Sequence, residues 1–143
     1  MLPKGWEFEK IGNYINTMMG FAFKSTNFVA NGVPLIRMGN LYQNSLDLTR
    51  NSVFLPKEFL NEYSRFLVQE NDLVMSMTGT MGKRDYGFVV LVDKVACGSF
   101  LNQRVMKVSA NSKSNNNFLL NLMRSEYFLN LLYSYPAGTK QAN

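Results

Sequence analysis

Two short stretches of this sequence carry side chains able to engage a charged ligand. In Thr78-Gly79-Thr80-Met81-Gly82-Lys83-Arg84, two glycines precede two adjacent cations. Glycine lets a backbone approach a ligand closely, and loop N–H groups beside cations suit an anion such as a duplex phosphate. Ser76 and Thr80 add hydroxyls to the same region. In Leu101-Asn102-Gln103-Arg104-Val105, two amides and a guanidinium stand together just before a strand-like run. Asn and Gln pair bidentately with adenine, and Arg with guanine, in the DNA major groove. Each stretch also has a plainer reading. The first is equally a tight strand-to-strand connection with solvated charges. In the second, Asn102 or Gln103 would satisfy backbone groups of a neighbouring loop, and spacing alone favours that role. Arg37, inside an apolar run, either pairs with an acid or a carbonyl or points to a ligand.

Several chemistries are excluded. The glycine loop is not a nucleotide-binding phosphate loop, which needs glycine where Met77 stands and Ser or Thr where Arg84 stands. The chain has no histidine and one cysteine, which removes a Ser-His-Asp triad, a histidine base and any His- or thiolate-caged zinc. No lysine has an acid two positions before it, so the acidic-x-Lys arrangement of common nuclease sites is missing. No catalytic group, metal or cofactor is expected. Lys and Arg number 15 against 10 Asp and Glu, a net charge of +5 that suits a polyanionic partner. Two other partners fit the same composition: an acidic protein surface docked on the basic loop, or single-stranded nucleic acid stacked on the aromatics.

The elements that must position these residues follow from patterning. Hydrophobic residues form 46% of the 143 and charged residues 17%, the balance of one globular domain with its own core. No apolar run reaches membrane-spanning length and the N-terminus lacks the apolar centre of a signal peptide, so a cytoplasmic protein is expected. Across 72–78, Leu73, Met75 and Met77 alternate with Val74, Ser76 and Thr78, a strand that would hold the base of the glycine loop. Further strands are expected over 33–38, 86–92, 94–97 and 103–108, with Leu46-Asp47-Leu48 pairing back after the Gly39-Asn40 turn. A short helical turn is expected over 9–15, a helix from Pro56 to about Phe66, and a C-terminal helix over 118–133 broken near Ser125 and capped from 114–116. Lys24 falls on a loop that follows alternating aromatics. Trp6 is expected as a lid on the core and Cys97 within it. This order predicts an α+β fold: a curved, mainly antiparallel sheet with flanking helices and a helical C-terminal part.

Taken in order, six stretches resemble the target-recognition domain of the DNA specificity subunit of type I restriction-modification systems. They are Leu2-Pro3-Lys4-Gly5-Trp6-Glu7, Gly20-x-x-Phe23-Lys24-Ser25, Pro34-Leu35-Ile36-Arg37-Met38-Gly39-Asn40, residues 71–83, Leu101-Asn102-Gln103-Arg104-Val105 and Ala137-Gly138-Thr139-Lys140-Gln141-Ala142-Asn143. The resemblance implies a reader of duplex DNA, not an enzyme. In that family two such domains, separated by long helices, each read half of a split site. Methyltransferase subunits bring S-adenosylmethionine and restriction subunits bring ATP. By the same resemblance Thr78, Gly79, Thr80, Gly82, Lys83, Asn102 and Gln103 are motif positions. Lys24, Lys83, Arg84 and Arg104 are expected on phosphates or bases, with Lys140 nearby and hydroxyl contacts from Ser76 and Thr80. The family pattern runs on into a proline-rich stretch and a spacer helix, whereas this sequence stops at Asn143. A single recognition domain over 1–143, excised or truncated, is therefore expected, with a second such domain as its pairing partner.

Overall fold

The computed structural model describes residues 1–135 and the backbone of residues 141 and 142. Its elements are, in order, β1 (Ile15–Met19), β2 (Val33–Ile36), β3 (Leu41–Tyr42), β4 (Ser45–Leu46), β5 (Phe54–Leu55), α1 (Phe59–Glu62), β6 (Leu73–Ser76), β7 (Gly79–Thr80), β8 (Val89–Leu91), β9 (Phe100–Leu101), β10 (Val105–Ala110), α2 (Asn116–Arg124), α3 (Glu126–Ser134) and β11 (Gln141–Ala142). The α+β class and the helical C-terminal part are as expected, but the strands divide among several sheets.

The main sheet has the order β1-β10-β6-β8 and is antiparallel throughout. The alternation in 72–78 produces its inner strand β6, and all four β6 side chains are buried. Leu73 and Met75 pack with Val89, Val108 and, from α2, Leu119 and Met123. Val74 faces the other way, onto Val90, Val105, Ile36 and Leu101. The main sheet is thus a middle layer, with α2 on one face and residues of the second sheet on the other. That second sheet, β5-β2-β9, pairs β2 antiparallel to β5 and parallel to β9. It carries an aromatic cluster in which Phe23 lies 5.1 Å from Tyr63 and 5.4 Å from Phe100 between ring centroids. Such offset and edge-on contacts add to the area they bury.

Local chemistry explains the ends of the helices. Asn115 accepts the Phe118 N–H at 2.8 Å and starts α2. Ser125 ends α2 and caps α3 by accepting the Phe128 N–H, so the break falls where the sequence placed it. Leu119 and Met123, four apart, present one buried face to the sheet. From the end of α2, Arg124 reaches back to the Val89 carbonyl at 2.7 and 2.9 Å.

Several expectations fail for identifiable reasons. Residues 94–97 form a turn and not a strand, because Asp93 accepts the Ala96 N–H at 2.9 Å and its carbonyl accepts that of Cys97 at 3.0 Å. Cys97 is exposed at this turn, and the strand that pairs is β9. Trp6 is 65% exposed. It covers no core but lines an apolar groove with Phe8, Phe118 and Tyr127. The helix expected from Pro56 stops at Glu62, and a separate short turn over 64–66 follows, which brings Tyr63 and Phe66 onto the aromatic cluster. The turn near residue 9 is confined to Ile11–Asn13, and β1, whose Asn16 and Thr17 are exposed, follows it at once. Leu46 pairs with Leu41 in a two-residue hairpin, without Leu48.

Arg37 takes the carbonyl option: its Nη2 donates to the Asn51 carbonyl at 2.8 Å. Beside it, Asn40 is buried and holds three backbone groups. Its Oδ1 accepts the Arg37 N–H, and its Nδ2 donates to the carbonyls of Asp47 and Arg50. Asn40→Ala orphans these groups and is expected to cost about 2–3 kcal/mol in urea unfolding, against about 1 kcal/mol for Asn115→Ala at the exposed helix cap.

Candidate nucleic-acid interface

One end of the main sheet, where β1 and β6 finish and β8 and β10 begin, brings the two chemical stretches together. The Gly20 N–H donates to the Val105 carbonyl and the Met77 N–H to the Arg104 carbonyl, each at 3.0 Å. Residues 102–104 are the connection between β9 and β10 at this end. Asn102 is fixed through its backbone: its N–H donates to the Ile36 carbonyl, and it bridges to Phe21. A Cβ on Gly20 would fall 2.0 Å from the Asn102 carbonyl oxygen, so only glycine lets β1 pass this turn. Gln103 and Arg104 stand exposed at the tip, with no side-chain hydrogen bond or ion pair to any described residue. The amide stretch is therefore half scaffold and half free surface.

The glycine loop leaves the same end. Ser76 is its root and not a contact residue: its buried hydroxyl accepts the Phe88 N–H at 3.1 Å, which corrects the expected ligand role. Thr78 is buried also. β7 pairs with β11, Thr80 opposite Gln141 and Gly79 opposite Ala142. The loop then turns at Gly82, whose φ of +77° favours glycine, with the Lys83 N–H donating to the Thr80 carbonyl. The expected anion cradle of backbone N–H groups is partly filled from within. Asp85 accepts the Thr80 N–H at 2.7 Å. A Cβ on Gly79 would lie 2.3 Å from that carboxylate oxygen. Hydrogen bonds from the Thr80 backbone and hydroxyl, with the nearby Lys83 charge a lesser cause, hold the Asp85 carboxyl below the ordinary aspartate range.

The adjacent cations part company. Lys83 is exposed and makes no side-chain hydrogen bond or close ion pair to a described residue, although its charge acts weakly on Asp85. Arg84 is a latch: it reaches Glu126 at 3.2 Å and Asn130 Oδ1 at 2.6 Å, and its guanidinium lies 4.9 Å from the centre of the Tyr133 ring. The Tyr133 hydroxyl in turn donates to the Tyr86 carbonyl. Arg84 thus ties the loop to α3 while its guanidinium stays half exposed. Lys24 is exposed at the head of the short turn Ser25–Asn27, and no hydrogen bond or ion pair among the described residues joins it to the loop. Lys140 lies outside the described residues.

The tertiary structure adds neighbours that patterning missed. A cleft of about 370 Å³ separates Thr78, Gly79, Thr80 and Asp85 from Tyr42 and Arg50. Arg50 lies 4.8 Å from the centre of the Tyr42 ring, which meets Phe88 edge-on. The signal present was Tyr42-Gln43-Asn44-Ser45, a two-residue turn, but its first turn residue is not the usual Asn, Asp or Gly. Among the described residues there is no group of three or more His, Cys, Asp or Glu able to hold a metal. No described helix is long and apolar enough to cross a membrane.

A rim of amides and unpaired cations on an α+β scaffold has the makings of a polyanion-binding module. The chain belongs to the family described as the type I restriction modification DNA specificity domain, which matches residues 3–143. It is 30% identical over 131 residues to the type I restriction enzyme EcoAI specificity subunit of Escherichia coli, covering 90% of this chain and 22% of that protein. It is 29% identical over 143 residues to the MjaVIII specificity subunit of Methanocaldococcus jannaschii, covering 98% of this chain and 33% of that protein. The chain thus spans a third or less of the length of these relatives. Its fold resembles the S subunit of a type I restriction-modification system from M. genitalium, with TM-score 0.61 and 14% identity, over 94% of this chain and 30% of that one. The HsdS subunit from Thermoanaerobacter tengcongensis gives TM-score 0.61 and 15% identity, over 98% of this chain and 32% of that one.

Two outcomes follow for the loop. The Asp85 contribution is present above the ordinary aspartate pKa and is lost as pH falls through its lower folded value. The Thr80 amide signal in NMR should titrate with a midpoint below the usual aspartate range, and Asp85→Asn should abolish that titration. Arg84→Ala should loosen the loop, with a coupling to Glu126 of under about 1 kcal/mol in a double-mutant cycle, since both side chains are largely exposed.

Proposed function

We propose that this chain is a non-catalytic reader of duplex DNA that recognises one half of a bipartite site within a type I restriction-modification complex. The carrying observation is the family match over residues 3–143, which spans every segment that meets at the rim. On this reading residues 1–143 form one recognition domain, without cofactor, working in the cytoplasm. Methylation and cleavage belong to methyltransferase and restriction subunits, and a second recognition domain reads the other half-site. EcoAI and MjaVIII, the relatives above, are named as specificity subunits, which supports this division of labour.

The rim supports a division of roles within the chain. Lys83 and Arg104 meet phosphates, because exposed cations outside any close ion pair can be neutralised by a polyanion at little desolvation cost. Gln103 meets a base edge, since its carboxamide is presented on a turn held from both sheets. Thr80 and Gly82 shape the loop, Asn102 fixes the turn, and Lys24 and Lys140 are further phosphate contacts.

Selection from a randomised duplex library, with the full chain fused to a dimerising helix pair, tests this reading. Enrichment of a short fixed base pattern is the expected result. No enrichment from a folded protein sinks it and turns attention to a protein partner. Lys83→Ala should weaken all duplexes about equally and lower the salt slope by about 1. Gln103→Ala should instead relax preference at one position, costing about 1–3 kcal/mol of discrimination.

A further inference from the structure

The ribbon made by β3 and β4 stands across the cleft from the glycine loop, and its construction is unusual. Both turn residues have positive φ, +50° at Gln43 and +61° at Asn44. This is the backbone of the tight hairpin turns that Asn-Gly or Gly-Gly adopt without strain. Gln at the first position is an outlier in a region that side chains beyond Asn and Asp seldom enter. Strain at an exposed position that glycine would relieve calls for a use of the side chain.

The rest of the ribbon is held still. Asn44 Oδ1 accepts the Val89 N–H at 3.0 Å, and the Asn44 carbonyl accepts from Arg124 at 3.2 Å. Leu41 is buried at the base, and Asn40 holds the Arg50 carbonyl. Tyr42 is 50% exposed, braced on Phe88, with Arg50 over its ring. Against this fixed frame the Gln43 carboxamide has one contact, a long one of 3.4 Å to the Tyr42 hydroxyl. The Arg50 guanidinium makes no hydrogen bond or close ion pair to a described residue, and its charge contributes only the smallest of the effects that lower the Asp47 pKa. An exposed amide on a fixed turn and a cation seated over Tyr42 thus stand on one ribbon, and Tyr42 and Arg50 face the glycine loop across the cleft.

We propose that the Tyr42–Ser45 ribbon is a second reading element of the same interface, with Gln43 on a base edge and Arg50, seated over the Tyr42 ring, on the adjoining phosphate. This rests on the reading of the chain as a duplex DNA reader and names the residues through which it selects. A two-stranded ribbon fits the major groove, where a carboxamide distinguishes adenine by its paired donor and acceptor. A guanidinium seated over an aromatic ring keeps its N–H groups available for phosphate oxygens.

The test is the randomised duplex selection with the full chain in the same dimerised form, comparing wild type with Gln43→Gly and Arg50→Gln. Gln43→Gly removes the carboxamide while suiting the turn, so its melting temperature should be no lower than that of the parent. The expected result is loss of preference at one base pair by about 5- to 150-fold, with preferences elsewhere kept. Arg50→Gln should keep the whole pattern, weaken all duplexes alike and lower the salt slope by about 1. An unchanged pattern in Gln43→Gly, or equal weakening on every sequence, overturns the ribbon assignment and leaves the DNA reading intact. Absence of any pattern with wild type overturns both.

Discussion

β6 has water on neither face, and that single constraint organises the layers. A strand with Leu73 and Met75 on one side and Val74 on the other is stable only if both sides are covered. α2 supplies one cover and the ends of β2 and β9 supply the other. Where both covers stop, the strand stops, after Ser76 meets Phe88 and the Met77 N–H reaches the Arg104 carbonyl. Beyond that point backbone groups must find water, a turn or a ligand. The glycine loop leaves at this place because the core ends there.

The same end of the sheet divides its polar residues into two kinds. Ser76, Asp85, Arg84, Asn44 and Asn40 spend their hydrogen bonds on the fold and keep the rim in one shape. Lys83, Gln103, Arg104 and Gln43 stand exposed around them. A rim prepared in this way loses little conformational freedom on meeting a ligand, which is how a scaffold of modest size gains affinity and discrimination together. Lys83 and Arg84 show how fine the division is. Neighbours in sequence and alike in charge, one is a surface cation and the other a strut to α3.

Much of the scaffold was legible from local rules. Alternation located β6, side-chain caps located the break between α2 and α3, and Gly39-Asn40 marked a turn. Local rules failed where the deciding partner is distant. Trp6 is large and apolar, yet it lies over a groove beside Phe118 and Tyr127 and not on the core. Cys97 follows an apolar run, but the Asp93 cap folds that run into a turn. Asn16 and Thr17 carry no strand pattern, and β1 forms because β10 offers an unpaired edge.

The sequence by itself determined which side chains were on offer and their order along the chain. The absence of histidine, the single cysteine, the surplus of cations and the paired stretches 78–84 and 102–104 pointed away from the commonest forms of catalysis and toward an anionic ligand as the expectation. Their order along the chain resembled one family, and the family match agrees. Only the tertiary structure decided which side chains are available. Exposure depends on partners far apart in the chain: α3 takes up Arg84 from 42 positions away, and Val89 pins Asn44 from 45. No local pattern encodes that pairing, because it arises from how the layers close over β6.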